Sequence, residues 1–432
     1  MKIYIHIFKN PYLSYYENQI LSIGENEMKR FFCAVVALIL LTACGIKEEN
    51  YENKSNLNCS QNTEITDKTE KTDKENNLSK EEVIGLWIPI YEIAPESYTT
   101  ADEYENYISS VFKEIADFKI NNIFVQVRGN CDSIYPSKYF SLNKNYCHNG
   151  QLKFDALDII VKTAHKLGLK IHAWINPYRI SSSEEYDINS PIFNYISTDD
   201  ISTGESYTYI KPSSLDGRRL ILNGVREIVE NYQVDGIHID DYFFPTTDKS
   251  FDEYDYSVYS SQDGVLSLDD WRRENVNVLV SSIYSIVKES DSECVFSISP
   301  GGDIDKNYNS CYADIKLWCK CEGFADMIIP QLYYGFENSS MPFEETLKNW
   351  KDICKDSHVK LVAGLAVYKA NTEDKYAGAG KNEWQENSDI IKKQIECVRG
   401  NGLDGFVLFS YNYIFSNSML KNSEIINIKS VI

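Results

Sequence analysis

The sequence predicts an α/β chain folded as a (β/α)8 TIM barrel, and three observations carry that expectation. Eight short β-rich runs alternate with longer helical patterns from residue 84 onward. No glycine-rich phosphate loop follows the first run, as a doubly wound sheet would offer. Polar and aromatic residues gather at the C-terminal ends of the runs, the end of a barrel where chemistry is carried.

The strand candidates are Ile84–Tyr91, Asn122–Arg128, Leu169–Asn176, Val234–Asp241, Cys294–Pro300, Ala325–Tyr333, Val359–Tyr368 and Leu403–Tyr411. Each is rich in Val, Ile, Leu or aromatic residues and bounded by turn residues. Amphipathic patterns over 101–119, 155–167, 216–232, 268–289, 312–322, 343–355 and 386–400 predict the intervening helices. The phrases Lys166-Leu-Gly168, Tyr232-Gln-Val-Asp-Gly236 and Asn401-Gly402-Leu-Asp-Gly405 read as helix stops that run into the next strand.

The chain ahead of the barrel reads as an export segment. Met28-Lys29-Arg30 is a short basic start, Phe31 to Leu41 is almost wholly apolar, and Leu41-Thr-Ala-Cys-Gly45 follows. That order is a secretory signal, and the apolar run is short for a bilayer span. Cysteine after Leu-x-Ala resembles the lipobox of bacterial lipoproteins, which implies acylation of Cys44 and a lipid anchor in the cell membrane. Residues 1–27 are then an upstream mis-start, 28–44 the signal peptide, 45–82 a polar stalk and 83–432 the barrel. The stalk is Lys, Glu, Asn, Thr, Ser and Asp with few apolar residues, too little to offset ordering entropy.

A formal net charge of -21 excludes a nucleic-acid partner, whose phosphates require a basic footprint. The nine cysteines outside the signal lack metal-type spacing and the six histidines are scattered, so no zinc site and no cofactor are expected. Free thiols are the reading preferred over a Cys131–Cys147 bridge.

The run Val234-Asp-Gly-Ile-His-Ile-Asp-Asp-Tyr-Phe-Phe-Pro245 is the most informative. By period-two alternation His238 and Asp240 share one face and Ile237 and Ile239 the other, and the run ends in two adjacent carboxylates, Asp240 and Asp241. The same parity puts Gln126 and Arg128 inward on the second run, and His172, Trp174 and Asn176 inward on the third. Ser297 and Ser299 follow on the fifth, Gln331 and Tyr333 end the sixth, and Tyr411 ends the eighth. Polar groups inside a barrel weaken its packing and call for another purpose. A polar cup lined with aromatic rings fits a sugar.

Several phrases then match a known family: Asn122-Ile-Phe-Val-Gln-Val-Arg128, Ile134-Tyr-Pro-Ser-Lys-Tyr139, Lys170-Ile-His-Ala-Trp-Ile-Asn-Pro-Tyr-Arg179, Ser297-Ile-Ser-Pro300, Tyr312-Ala-Asp314 with Trp318, and Asp326-Met-Ile-Ile-Pro-Gln-Leu-Tyr333. With the Asp240–Asp241 run, they resemble the glycosyl-hydrolase-like family ten barrels over roughly residues 84–415. The resemblance implies a TIM barrel acting on glycans, with bacterial cell-wall strands the favoured substrate. The fourth run also looks like the Asp-Gly-x-Asp-x-Asp-x-Glu strand of chitinase-type barrels. Here His238 replaces one aspartate and Tyr242 stands at the acid's position, which puts that mechanism in doubt and leaves an acetamido-assisted route open.

Glycosidic cleavage usually takes two carboxyl groups, one of them an acid. Asp240 is the first choice for nucleophile or base. Asp241 serves as acid or as a partner for a sugar hydroxyl, and Glu92 and Asp303 are further acid candidates. Against these stand a turn role for Asp303, a pairing of Glu92 with Arg128, and a calcium site at the adjacent acids. Arg128 orients a carboxylate or grips a substituent, and His172 and His238 are positioning groups. Trp174 and Tyr333 stack a sugar, with Gln126, Asn176, Gln331 and Tyr411 as contacts. Asp235 and Asp326 begin their strands at the opposite, stability face, and Asp314 reads as a helix cap or as a group that supports the site from behind. The leading reading is an extracellular glycoside hydrolase of peptidoglycan strands. The alternatives are a glycosidase of other polysaccharides and a non-catalytic glycan-binding lipoprotein.

Overall fold

The computed structural model describes residues 81–95, 97–148, 151–261, 265–416 and 423–432. The expected signal, Cys44 and the stalk up to residue 80 lie outside the described residues. Among those described, no helix is long and apolar enough to cross a membrane.

Eight parallel strands close into a barrel: β1 (Val83–Ile88), β2 (Asn122–Arg128), β3 (Lys170–Ile175), β4 (Gly236–Ile239), β5 (Val295–Ile298), β6 (Met327–Ile328), β7 (Lys360–Ala366) and β8 (Gly405–Phe409). Each pairs with its neighbour in sequence, and β1 closes the ring on β8. All eight expected runs contain one. The sixth shrinks most, because Pro330 has no N–H to give a ladder. There Gln331 is held only by isolated bridges to Gly301 and Gly364.

The connecting helices are α1 (Ala101–Asp117), α2 (Ala156–Lys166), α3 (Leu215–Asn231), α4 (Leu268–Ser290), α5 (Ile315–Lys320), α6 (Phe343–Ile353) and α7 (Ile390–Gly400). Side chains of Thr100, Asp155, Ser214, Ser267 and Asp314 accept backbone N–H groups at the starts of α1 to α5, satisfying donors that a helix leaves open. Asp314 is therefore the cap that the sequence indicated. α1 buries Tyr104, Ile108, Val111, Phe112 and Ile115, the three-to-four spacing of one face. After α2 and α7 the chain turns at Gly168 and Gly402, with φ of 72° and 71°, where a side chain would be strained. The C-terminal tail adds helix α8 (Ser423–Lys429), anchored through Glu424, which accepts the Ile391 N–H at the start of α7 (2.7 Å).

The residue ahead of each even-numbered strand reaches sideways to the start of the odd-numbered strand before it. Asn121 accepts the Ile84 N–H (2.9 Å), Asp235 that of Ile171 (2.7 Å), Asp326 that of Phe296 (2.7 Å) and Asp404 that of Leu361 (2.9 Å). Four polar side chains thus satisfy the backbone at the stability face and fix the register. Asp235 and Asp326 are consumed there, as their position predicts.

The barrel interior is filled by Val83, Trp87, Phe124, Trp174, Met327, Ile329, Val362 and Val407. Rings this large fit because the facing strands carry glycine: a Cβ on Gly364 would lie 2.9 Å from the Trp87 ring, and one on Gly236 would lie 2.2 Å from His172 Nδ1. Outside the ring, the apolar faces of strands and helices form one continuous layer. Cys131 and Cys147 are separate free thiols.

Candidate active site

Asp240 follows the last residue of β4 and is 3% exposed at the C-terminal mouth of the barrel. Its Oδ2 accepts two N–H groups from β3 and its end, Trp174 Nε1 at 3.2 Å and Asn176 Nδ2 at 2.9 Å. The orientation of Asn176 is fixed in turn. Gln126 Nε2 donates to Asn176 Oδ1 (2.8 Å), and Gln126 Oε1 accepts the Ile90 N–H (3.2 Å). A relay of amides from the end of β1 through β2 and β3 therefore holds one carboxylate oxygen of β4. Oδ1 has only a long contact from the Tyr242 N–H, 3.5 Å, and is the oxygen left for another partner.

Asp241 is half-buried beside it, within hydrogen-bonding reach of the Gln331 side chain, whose Nε2 also donates to Ser299 O at 3.3 Å. Burial pushes the Asp240 carboxyl well above the usual range and raises that of Asp241, and the Asp241 charge raises Asp240 further. Arg179, the Tyr242 N–H and Trp174 pull Asp240 back. Gln331, Lys306 and Arg179 do so for Asp241. Two neighbouring carboxyls of this kind titrate as a pair, because the charge on one disfavours the ionisation of the other. Among the described residues no cluster of His, Cys, Asp and Glu is arranged to hold a metal ion.

Arg179 is the cation that acts on both aspartates, and the sequence alone did not single it out. It follows β3, donates from Nε to Gly129 O (3.1 Å) and lays its guanidinium over the Tyr242 ring, 4.4 Å from the centroid. It makes no ion pair within 4 Å of either aspartate among the described residues. Its position in the phrase Asn-Pro-Tyr-Arg, three residues past Asn176, was the available signal.

Arg128 lies elsewhere. The β2–β3 register shifts between Gln126, opposite Trp174, and Arg128, opposite Ile175. That bulge adds one residue, so Gln126 faces the interior while both Val127 and Arg128 face the helices. Arg128 is fully buried over the Phe140 ring, 4.0 Å from its centroid, against α3 at Gly224. Simple alternation aimed its fork into the cup; the bulge turns it away.

His172 does point inward, but at the wrong end. Its Nε2–H donates to Asn122 Oδ1 (3.0 Å), and the ring stacks on Phe124 and lines a cavity of about 960 Å³ that opens at the N-terminal face. Burial holds its ring down to about 4, so it is neutral. His238 sits in the middle of the barrel. It accepts from Trp87 Nε1 (3.0 Å), so its Nδ1 carries the proton shared with Ser297 Oγ (2.8 Å). Burial keeps it uncharged also, and it positions Trp87 and touches the edge of Trp174.

Glu92 is buried beyond β1, where it accepts from Ser410 Oγ (2.7 Å) and the Asn412 N–H (3.2 Å). Both oxygens bond the turn after β8, which gives this carboxyl a structural role, and its expected partner Arg128 packs over Phe140 against α3 instead. Asp303 accepts the Lys306 N–H (3.0 Å) and caps a short helix, 304–309. Tyr411 begins a helix of its own (Tyr411–Phe415) and stacks on Phe415 in the outer layer. β8 ends at Phe409 and the helix restarts the periodicity, so Phe409 and Tyr413 take the mouth instead. Tyr333 is placed there as expected, 6.2 Å from Phe409 and 5.8 Å from Tyr368 between ring centroids.

A family model described as Glycosyl hydrolase-like 10 matches residues 85–379. The chain belongs to that family. The Glycosyl hydrolase YngK of Bacillus subtilis is 28% identical over 354 residues, covering 76% of this chain and 68% of that protein. The Glycosyl hydrolase DigH of Escherichia coli K12 is 28% identical over 328 residues, 68% of this chain and 73% of that protein. At the level of fold, the chain is similar to the PgaB (BpsB) glycoside hydrolase domain of Bordetella bronchiseptica, with a TM-score of 0.54 and 11% identity over 80% of this chain and 98% of that one. The catalytic domain of β-amylase from Paenibacillus polymyxa gives 0.53 and 11%, over 81% and 97%. This Glycosyl hydrolase-like 10 member is thus an enzyme of the glycoside-hydrolase type, and its paired acids stand where a TIM barrel carries its catalytic groups.

Proposed function

We propose that the protein hydrolyses O-glycosidic bonds in an extracellular amino-sugar glycan, with peptidoglycan strands as the substrate. The observation that carries this is the Asp240–Asp241 pair at the barrel mouth, where one carboxylate oxygen is pinned by Trp174 and Asn176 and the other is left free. Asp240, oriented by the N–H groups of Trp174 and Asn176, supplies the carboxylate that faces the anomeric carbon or polarises a substrate acetamido group. Asp241, the more open of the two, passes a proton to the leaving oxygen in this reading. Arg179 holds a positive charge next to both without quenching either by a direct ion pair, and Tyr333 offers its ring to a pyranose.

The substrate class is supported by the expected export signal and lipobox at Cys44, which fit an outer-surface protein facing wall glycan, and by the resemblance to glycosyl-hydrolase-like family ten barrels. A glycan-binding lipoprotein would have no need of a desolvated acid pair, whose burial is costly unless it is used. The test is incubation of the protein with purified glycan strands, with and without stem peptides, and mass spectrometry of what is released. New reducing ends support the reading and name the bond cut. Intact strands in every case would remove it.

A further inference from the structure

Around the barrel, β6, β7, β8 and β1 are consecutive neighbours, and each delivers an aromatic ring to the mouth just after its last residue or at it. Tyr333 follows β6, Tyr368 follows β7, Phe409 ends β8 with Tyr413 four residues on, and Tyr91 follows β1. The rings touch in series. Trp87 inside the barrel is 6.0 Å from Phe409, Phe409 is 6.2 Å from Tyr333 and 6.1 Å from Tyr368, and Tyr368 is 6.0 Å from Tyr413. Tyr91 stands three residues past the end of β1, the strand next to β8.

Exposure climbs along the same path. Trp87 is 2% exposed, Phe409, Tyr333 and Tyr368 are half-buried, Tyr413 is 40% exposed and Tyr91 63%. A single exposed tyrosine needs no explanation. A series of touching rings that starts at Trp87 inside the barrel and opens to solvent at Tyr413 does, because packing alone would draw such rings inward. Tyrosine presents a rigid apolar face and a hydroxyl at small entropic cost, which suits a pyranose with its C–H face and its ring of hydroxyls. The opposite wall of the mouth, at β3 and β4, holds Arg179 stacked on Tyr242.

We infer that Tyr333, Tyr368, Tyr413 and Tyr91 form a lane of sugar-stacking subsites running from the aspartate pair over the β6–β1 rim, so that the protein grips several residues of an extended amino-sugar chain. This rests on the proposed glycan reading and adds to it the direction and length of the bound polymer. An enzyme with this lane cuts within chains and handles long ones better than short ones.

The test uses the full chain carrying Asp240→Asn, which keeps bound glycan uncut, and β-linked N-acetylglucosamine oligomers from disaccharide to hexasaccharide as probes in calorimetry. Affinity rises with length in this parent. Tyr413→Ala and Tyr91→Ala each flatten the rise, lowering affinity for the longest oligomer by roughly three- to tenfold, while Tyr254→Ala, on the β4–α4 loop, leaves it as in the parent. Affinity that does not depend on length, or a rise that survives both lane variants, overturns the lane even if the wild type cleaves glycan. A length-dependent rise flattened by the variants, in a protein whose wild type cleaves nothing, would keep the lane and remove the hydrolase reading.

Discussion

Replacing Asn176 by alanine removes the shorter of the two N–H contacts on Asp240 Oδ2, 2.9 Å against 3.2 Å for Trp174, and strips Gln126 Nε2 of its acceptor. A hydrogen bond to a charged group contributes about 1.5–3 kcal/mol, and here the charged form of Asp240 is the one that loses it. If the carboxylate is the working form, that amount appears in the barrier. The expected fall in kcat/KM is roughly ten- to a hundredfold. The sign of the pH effect is also set. Losing a donor to the carboxylate favours the protonated acid, so the rising limb of the kcat/KM profile moves to higher pH. Gln126→Leu acts one step back along the relay and shifts the limb in the same direction by less. The assay is kcat/KM against pH on a soluble oligosaccharide, with circular dichroism to show an intact fold. An Asn176→Ala enzyme with the wild-type rate and an unmoved limb would refute the relay's role.

Arg179→Gln removes the cation that favours ionisation of both aspartates, so its rising limb also moves to higher pH, and Arg179→Lys restores it only in part because the planar stack on Tyr242 is lost; the pH profiles of the two variants decide this. For Glu92, burial lifts the carboxyl from an ordinary 4.5 to about 7. Between those values the folded state holds a proton that the unfolded chain releases, so this group's contribution to stability falls as pH rises through the window and levels off above it, by about 3 kcal/mol in all. Glu92→Gln shrinks the difference between urea unfolding at pH 5 and at pH 8, and an unchanged difference would contradict the assignment. Arg272 is fully buried on α4, paired with Asp252 and bonded to Asp248 O (2.8 Å) and Tyr312 Oη (2.8 Å), which ties the β4–α4 loop to the barrel. Arg272→Met leaves Asp252 charged and unpaired and costs about 3–5 kcal/mol by denaturant titration.

Much of this architecture was legible in the chain because its signals are local. Capping residues, helical faces and the Asp-Gly and Gly stops are properties of a few adjacent residues, and they located the helices from α1 to α7 closely. The stability-face roles of Asp235 and Asp326 followed from position within a strand. The site was legible where alternation runs unbroken: Trp174 and Asn176 share a parity on β3 with no interruption, and they meet Asp240. It failed where one residue breaks the count. The bulge at Val127 turned Arg128 outward, and the end of β8 at Phe409 passed the mouth from Tyr411 to Tyr413. Parity also says nothing of height in the barrel, which is why His172 shares a face with Asn176 yet lies at the opposite end. Arg179 and the lane from Tyr333 to Tyr91 depend on contacts between strands far apart in sequence.

The central claim is that the Asp240 carboxylate carries the bond-breaking step. Its most direct test is the turnover of Asp240→Asn on peptide-free glycan strands beside its affinity for the same strands. The account predicts that turnover is lost while binding stays near that of the wild type. Turnover at the wild-type rate in that variant would contradict it.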